Sequence, residues 1–204
     1  MEMDVSQLAL ALGSSLTAGL NLYLTVFTLG LLHRIDIFTL PDQLQVLADP
    51  WVLGTAGILL LVEFIVDKVP LLDNAWDFIQ GFARVPAGAL LAAGAFDDLS
   101  SSQFWIIALL GGLTSLSAHG AKASTRLAIN TSPEPFSNWF LSLLEDGVSL
   151  VVLWLIANYP EVAVVVALVV LLSCIAIVFT FYKFFQLLFR RRGRPVTPVE
   201  SPKL

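Results

Sequence analysis

The stretch Val162-Ala-Val-Val-Val-Ala-Leu-Val-Val-Leu-Leu-Ser-Cys-Ile-Ala-Ile-Val-Phe-Thr-Phe-Tyr182 carries no charged side chain. A hydrocarbon layer about 30 Å thick is crossed by about 20 apolar residues in a helix. This stretch therefore predicts a membrane span, and Arg190-Arg191-Arg192-Gly193-Arg194 stops transfer behind it. Trp105 to Ala118 is likewise uncharged and is extended to spanning length by small and polar neighbours. The remaining apolar segments complete six spans, at 7–33, 52–68, 76–97, 103–128, 138–157 and 161–189.

Charge orients them. The chain has eleven Lys and Arg. With six spans, Lys68, Arg84, Lys122, Arg126, Lys183, Arg190, Arg191, Arg192, Arg194 and Lys203 fall at or toward one side, and Arg34 alone lies on the other. Lys and Arg concentrate in short cytoplasmic loops, so both termini are expected in the cytoplasm and the protein in the cytoplasmic (inner) membrane. The fold class is an all-α, polytopic membrane helix bundle of about six transmembrane helices. Residues 1–189 form a single integral-membrane domain, and the Pro-rich 190–204 read as a disordered cytoplasmic tail.

Composition agrees. The 204 residues are 57% hydrophobic and 13% charged, with a mean hydropathy of +0.83, too apolar for a soluble domain. The net charge of −5 is concentrated on the expected outer side, at Asp36, Asp42, Asp49, Asp97, Asp98 and Glu161. A single cysteine, Cys174, excludes an internal disulfide. Met1-Glu2-Met3-Asp4 lacks the positive region of a signal peptide. Trp51, Trp76, Trp105 and Trp139 lie at span ends, where the amphipathic indole anchors at the interface.

Each half has a small-residue first helix and an acidic second helix, with Gly19-Leu20-Asn21 corresponding to Gly120-Ala121-Lys122 and Glu63 to Glu145-Asp146. An inverted three-plus-three repeat, 7–97 and 103–189, is the symmetry this suggests, a plan used by transporters with sites near the repeat interface. The third span is interrupted by Arg84 and Pro86 and reads as tilted, kinked or re-entrant. The segment 34–51, between Pro41 and Pro50, reads as a short interfacial piece.

The charges inside spans carry the chemistry. A mid-helix Asp, Lys or Arg costs about 2.5–3.5 kcal/mol to insert. Glu63, Asp67, Glu145 and Asp146 would together oppose insertion by roughly 10 kcal/mol if lipid-facing and ionised, so they must face the interior or water. Glu63 and Asp67 share a helix face, as do Asp73 and Asp77. These four can converge on a hard cation, which prefers oxygen ligands, with Glu145 and Asp146 closing the site. Alternatively they pair with Lys68, Arg84, Lys122 or Arg126 and fix helix registry, or Asp73 and Asp77 are simply solvated or cap the third helix. Lys122 and Arg126 also share a face among hydroxyls. They suit a phosphate, a carboxylate or a lipid headgroup, or serve as cytoplasmic anchors or as partners of the carboxylates. His119 is placed either to relay protons or to bond a neighbouring helix. Asn21, beside Tyr23, makes an interhelical hydrogen bond worth about 0.6–2 kcal/mol or touches a ligand.

Glu63-Phe-Ile-Val-Asp67-Lys68-Val-Pro70-Leu-Leu-Asp73-Asn-Ala-Trp76-Asp77, with Arg84 following, resembles the signature of an uncharacterised bacterial membrane family, domain-of-unknown-function family 4126. Ala118-His119-Gly120-Ala-Lys122-Ala-Ser-Thr125-Arg126, Asn130-Thr131-Ser132 and Leu144-Glu145-Asp146 resemble its second signature, and Gly19-Leu20-Asn21-Leu-Tyr23 its opening. The resemblance covers nearly all of 13–160 and implies a small multi-pass membrane protein of no established activity. A fainter similarity is to small cation exchangers that use Glu-x-Gly-Asp and a basic residue. Here three residues separate Glu63 from Asp67 and the Gly is missing, so no role carries over.

No His-Glu-x-x-His, Walker loop or Gly-x-Ser-x-Gly is present, no cofactor is implied, and nothing suits nucleic acid. The expectation is a small ion- or proton-coupled transporter in the lipid bilayer, with a small cation, proton or anionic substrate as ligand. The alternatives are a membrane enzyme acting on a lipid phosphate and a non-catalytic assembly partner.

Overall fold

The structure is a computed structural model that describes residues 4–67, 69, 72–129 and 135–192. Lys68, Pro70, the Asn130-Thr131-Ser132 motif and residues 193–204 of the expected tail lie outside them. The described residues are helical: α1 Val5–Leu20, α2 Leu22–Arg34, a 3-10 helix Asp42–Ala48, α3 Pro50–Val66, α4 Leu72–Gly94, α5 Ser101–Ile129, α6 Pro135–Asn158 and α7 Pro160–Arg192. Three helical segments, Ser101–Ile129, Trp139–Asn158 and Pro160–Leu187, are long and apolar enough to cross a membrane. The 3-10 helix with α3, bent by 62°, makes a fourth if it counts as one span. Large apolar side chains face outward, among them Ile58, Leu109 and Leu172, while Glu63, Arg84, Lys122 and Arg126 are buried. Such apolar helices, with charge turned inward, belong to a membrane protein.

Residues 7–33, read as one crossing, are two helices. Asn21 stands between them in an extended conformation, φ −147° and ψ 100°. Its N–H donates to Thr17 O at 2.8 Å, closing α1. Its side-chain Oδ1 accepts from Leu24 N at 2.9 Å, capping α2. An Asn within an apolar run can therefore act as a helix cap as well as an interhelical donor.

The break reverses the chain. Ser6 and Gln7, at the start of α1, share a groove of about 360 Å³ with Thr39, Asp42, Gln45 and Asp97. Leu10 packs in the same core cluster as Leu40 and Phe96. Ten residues on, α1 has descended along α5, and Leu20 O meets Lys122. From there α2 climbs back: Tyr23 Oη accepts from Gln80, Val26 lies by Leu91 and Gly94, and Arg34 donates to Ala48 O at 3.0 Å. The α1–α2 hairpin thus begins and ends at one end of the bundle, here called the upper end.

The arrangement gives no support to a cytoplasmic side shared by both termini. Asp4 belongs to the upper end. From Ala163, in the cluster with Leu10 and Leu40, α7 descends past Cys174, which packs with Ala118 and Ala121, to Arg192. It carries the first three arginines of the basic cluster in helical form, beyond the expected end at 189. The inverted repeat gains no support either. The corresponding first helices, α1 and α5, run parallel, with Leu8 and Ala11 near Ile107 and Gly19 near Ala118, where inversion requires them antiparallel. The third apolar segment is one continuous helix, since α4 runs through Arg84 and Pro86.

Small residues permit this packing. Added at Gly111, a Cβ would collide with Ala92 Cβ and come within 2.7 Å of Gly88 O; at Gly19 it would collide with Ser115 O. Close backbone approach through small residues is how helices associate where lipid removes the hydrophobic driving force. Gly54 on α3 has no atom within 4 Å of its would-be Cβ. Gly111→Ala should lower the unfolding midpoint in detergent by overpacking, costing about 1–3 kcal/mol. Gly54→Ala should be neutral or stabilising by up to about 1 kcal/mol.

Candidate functional site: a buried cluster of carboxylates and cations

Four helices deliver seven charges to one point in the lower half of the bundle. From α3 come Glu63 and, at its C-cap, Asp67; α4 gives Asp77 and Arg84, two turns apart; α5 gives Lys122 and Arg126 on one face; α6 gives Glu145. Arg84 Nη2 pairs with Glu63 Oε1, and its Nη1 lies 3.0 Å from Asp77 Oδ1. Arg126 Nη2 bridges α3 and α6, 3.0 Å from Asp67 Oδ2 and 3.0 Å from Glu145 Oε2. Ser142 Oγ donates to the same Asp67 oxygen at 3.2 Å.

Lys122 occupies the centre. Its Nζ lies 3.4 Å from Glu63 Oε1, 3.5 Å from Asp67 Oδ2, 3.5 Å from Asp77 Oδ1 and 3.6 Å from Glu145 Oε2. It donates to Leu20 O at 3.2 Å, a carbonyl at the C-terminal end of α1 that no later turn of that helix can satisfy. The negative end of the α1 dipole therefore faces an ammonium. On the other side of the break, Asn21 Nδ2 donates to Asp146 Oδ1 at 2.9 Å, which sets a carboxylate by the positive end of α2. Both ends of the broken helix meet opposite charge.

Among the described residues, three cations (Arg84, Lys122 and Arg126) face four carboxylates (Glu63, Asp67, Asp77 and Glu145). The cations' side chains are at most 1% exposed and the carboxylates' at most 9%. Removing such charges from water costs several kcal/mol each, which mutual attraction offsets only with good geometry. The geometry is incomplete. Glu63 Oε2, Asp67 Oδ1 and Asp77 Oδ2 are buried with no hydrogen-bond partner among the described residues. Glu63, Asp67 and Asp77 each offer a carboxylate oxygen within 4.8 Å of the other two, a spread that one oxygen-ligated cation at about 2.4 Å from each ligand spans.

Of the residues singled out in the sequence, Glu63, Asp67, Asp77, Lys122, Arg126 and Glu145 meet in the cluster, while Asn21 and Asp146 form its edge. The Asp73 side chain lies outside the described residues. His119 Nδ1 sits 3.2 Å from Arg84 Nη1. A guanidinium only donates, so the ring nitrogen accepts and His119 supports Arg84 from behind. Arg84 itself was legible only as a partner for carboxylates, yet it ties α3 to α4. Its neighbour Pro86 obscured it by making that helix read as interrupted. The Leu20 carbonyl was hidden, because a main-chain acceptor leaves no mark in a side-chain pattern.

The family model described as a domain of unknown function, DUF4126, matches residues 8–180. The chain belongs to this family. That match takes in every element of the cluster, from Asn21 to Asp146. No curated protein and no solved structure matches the chain.

Arg84→Gln should destabilise the protein by about 3–5 kcal/mol, because it strands Glu63 and Asp77 in an apolar interior. Adding Glu63→Gln should recover part of that loss, and the non-additivity in a double-mutant cycle measures the pair. Strict additivity in detergent unfolding would show that the two do not interact.

Proposed function

We propose that this chain is a small transporter of the cytoplasmic membrane in which the buried cluster takes up a proton or a small cation. The observation that carries the reading is the break at Asn21, set inside the bundle with its two helix ends facing Lys122 and Asp146, beside a surplus of carboxylate. Discontinuous helices whose ends face charge are the device by which many transporters bind ions within the membrane. Surplus negative charge in an apolar interior calls for a proton or cation to balance it, and a group that comes and goes couples to movement.

In this reading the membrane is crossed five times, by α3 to α7, and the α1–α2 hairpin enters and leaves from the upper side. The lower end, with Lys183 and the basic cluster, faces the cytoplasm by the rule for Lys and Arg. The N-terminus, with Glu2 and Asp4 and no basic residue before Arg34, then lies outside. The lipid-phosphate enzyme finds less support, since a phosphate at Arg126 would meet Asp67 and Glu145, each 3.0 Å from the guanidinium. A second reading, a cluster that only fixes registry in a non-catalytic partner, draws on the near-complete enclosure of Lys122.

Sidedness tests the topology. With Cys174→Ser as background, Ser6→Cys and Asp42→Cys should react with a membrane-impermeant maleimide from the same side, and Ser201→Cys from the other. Reaction of Ser6→Cys together with Ser201→Cys would restore a single crossing at 7–33. Function is tested in proteoliposomes loaded with a pH dye and given gradients of sodium, potassium or protons. Wild type should show saturable flux that falls to the protein-free rate in Glu63→Gln. If wild type matches protein-free vesicles under every gradient, the transporter reading fails and the registry reading stands.

A further inference from the structure

We infer that the Lys122 ammonium is a tethered cation seated in a cation-binding site, and that a small free cation takes its place when Lys122 withdraws. The inference rests on the transport reading and names the ligand class of the same site. Nζ has five oxygens around it at 3.2–3.6 Å, four from carboxylates and one from the Leu20 main chain. A mixed set of carboxylate and carbonyl oxygens is what hard cations take. A salt bridge made for stability alone needs one or two carboxylates, not a cage drawn from four helices.

A second observation is independent of the ion pairs. Glu63 Oε2 and Asp77 Oδ2 are buried and lack hydrogen-bond partners among the described residues. Their sister oxygens, Glu63 Oε1 and Asp77 Oδ1, face Nζ at 3.4 and 3.5 Å. An ammonium with three donors cannot satisfy all of these acceptors, whereas a spherical ion bound by both oxygens of a carboxylate can. The lysine holds the cage closed without saturating it. Lys122 is also the one cation of the three with a flexible four-carbon stem and a compact head, able to move away and return. Arg84 and Arg126, each fixed to two carboxylates, stay as the frame.

The test is Lys122→Ala, purified in detergent, with thermal unfolding followed against ammonium, methylammonium, sodium, potassium, magnesium or calcium chloride. Choline chloride holds ionic strength constant. The variant should start less stable than wild type and gain roughly 5–10 °C at about a hundred times the dissociation constant of the preferred cation. Glu63→Gln/Lys122→Ala should lose that gain. If no cation exceeds choline, the cage is not a cation site and the inference is overturned. Should Lys122→Ala fail to fold, wild type supplies the second measurement. Modification of Lys122 by an amine-reactive ester should rise with the cation that displaces it, and unchanged reactivity under every salt overturns the inference. Cation binding to Lys122→Ala without flux through wild type would retain the site and remove the transport reading. Wild-type flux with an unresponsive Lys122→Ala would do the reverse.

Discussion

Charge in an apolar surround is the constraint on which this structure depends. Lipid offers no water to a guanidinium, an ammonium or a carboxylate, so each must find its opposite inside the protein. Glu63, Asp67, Asp77, Arg84, Lys122, Arg126 and Glu145 do so at one place, and the helices that carry them are held in register by that meeting. Arg126 connects α5 with the C-cap of α3 and with α6, and Lys122 on the same helix reaches both. The surrounding core is built to let it happen. Gly88, Gly111 and Gly19 bring α4, α5 and α1 close enough for side chains of ordinary length to reach one centre.

The hairpin of α1 and α2 is the second half of the design. A continuous helix along 7–33 would present the cluster with saturated backbone. By stopping at Leu20 and restarting at Leu22, the chain turns two helix ends, with their partial charges, toward Lys122 and Asp146. Asn21 makes the stop and the restart with one residue. Its main chain ends α1, its Oδ1 begins α2 and its Nδ2 holds Asp146. Because α1 also packs against α4, α5, α6 and α7, movement of this hairpin would be felt by every helix that carries the cluster except α3, which it reaches through α2. In the transport reading, that connection would couple occupancy of the cluster to a change in the bundle.

Much of this was legible in the sequence, and the physical reason is cost. Ionised groups in spans are expensive enough that Glu63, Asp67 and Glu145 were expected to face the interior or water, while Lys122 and Arg126 read equally as an anion site, as cytoplasmic anchors or as partners of those carboxylates. The apolar run 162–182 and the arginines behind it placed α7. What the sequence did not disclose was direction. Hydropathy is blind to whether an apolar stretch crosses or turns back, and 7–33 has the length of a span with only Asn21, a residue at home both in a helix interface and at a cap, to mark the turn. The side of the N-terminus and the inverted repeat both hang on whether that segment crosses. The Lys and Arg asymmetry does not decide between crossing and turning back, because residues 1–33 hold no Lys or Arg.

The claim that the break at Asn21 is docked on the charged cluster can be tested directly by cross-linking. In membranes carrying Asn21→Cys and Asp146→Cys on a Cys174→Ser background, mild oxidation should join the two cysteines within one chain. The disulfide should form readily in the native membrane and be lost when the protein is denatured before oxidation. Failure of this pair to cross-link in the folded protein, with each cysteine reactive alone, would contradict it.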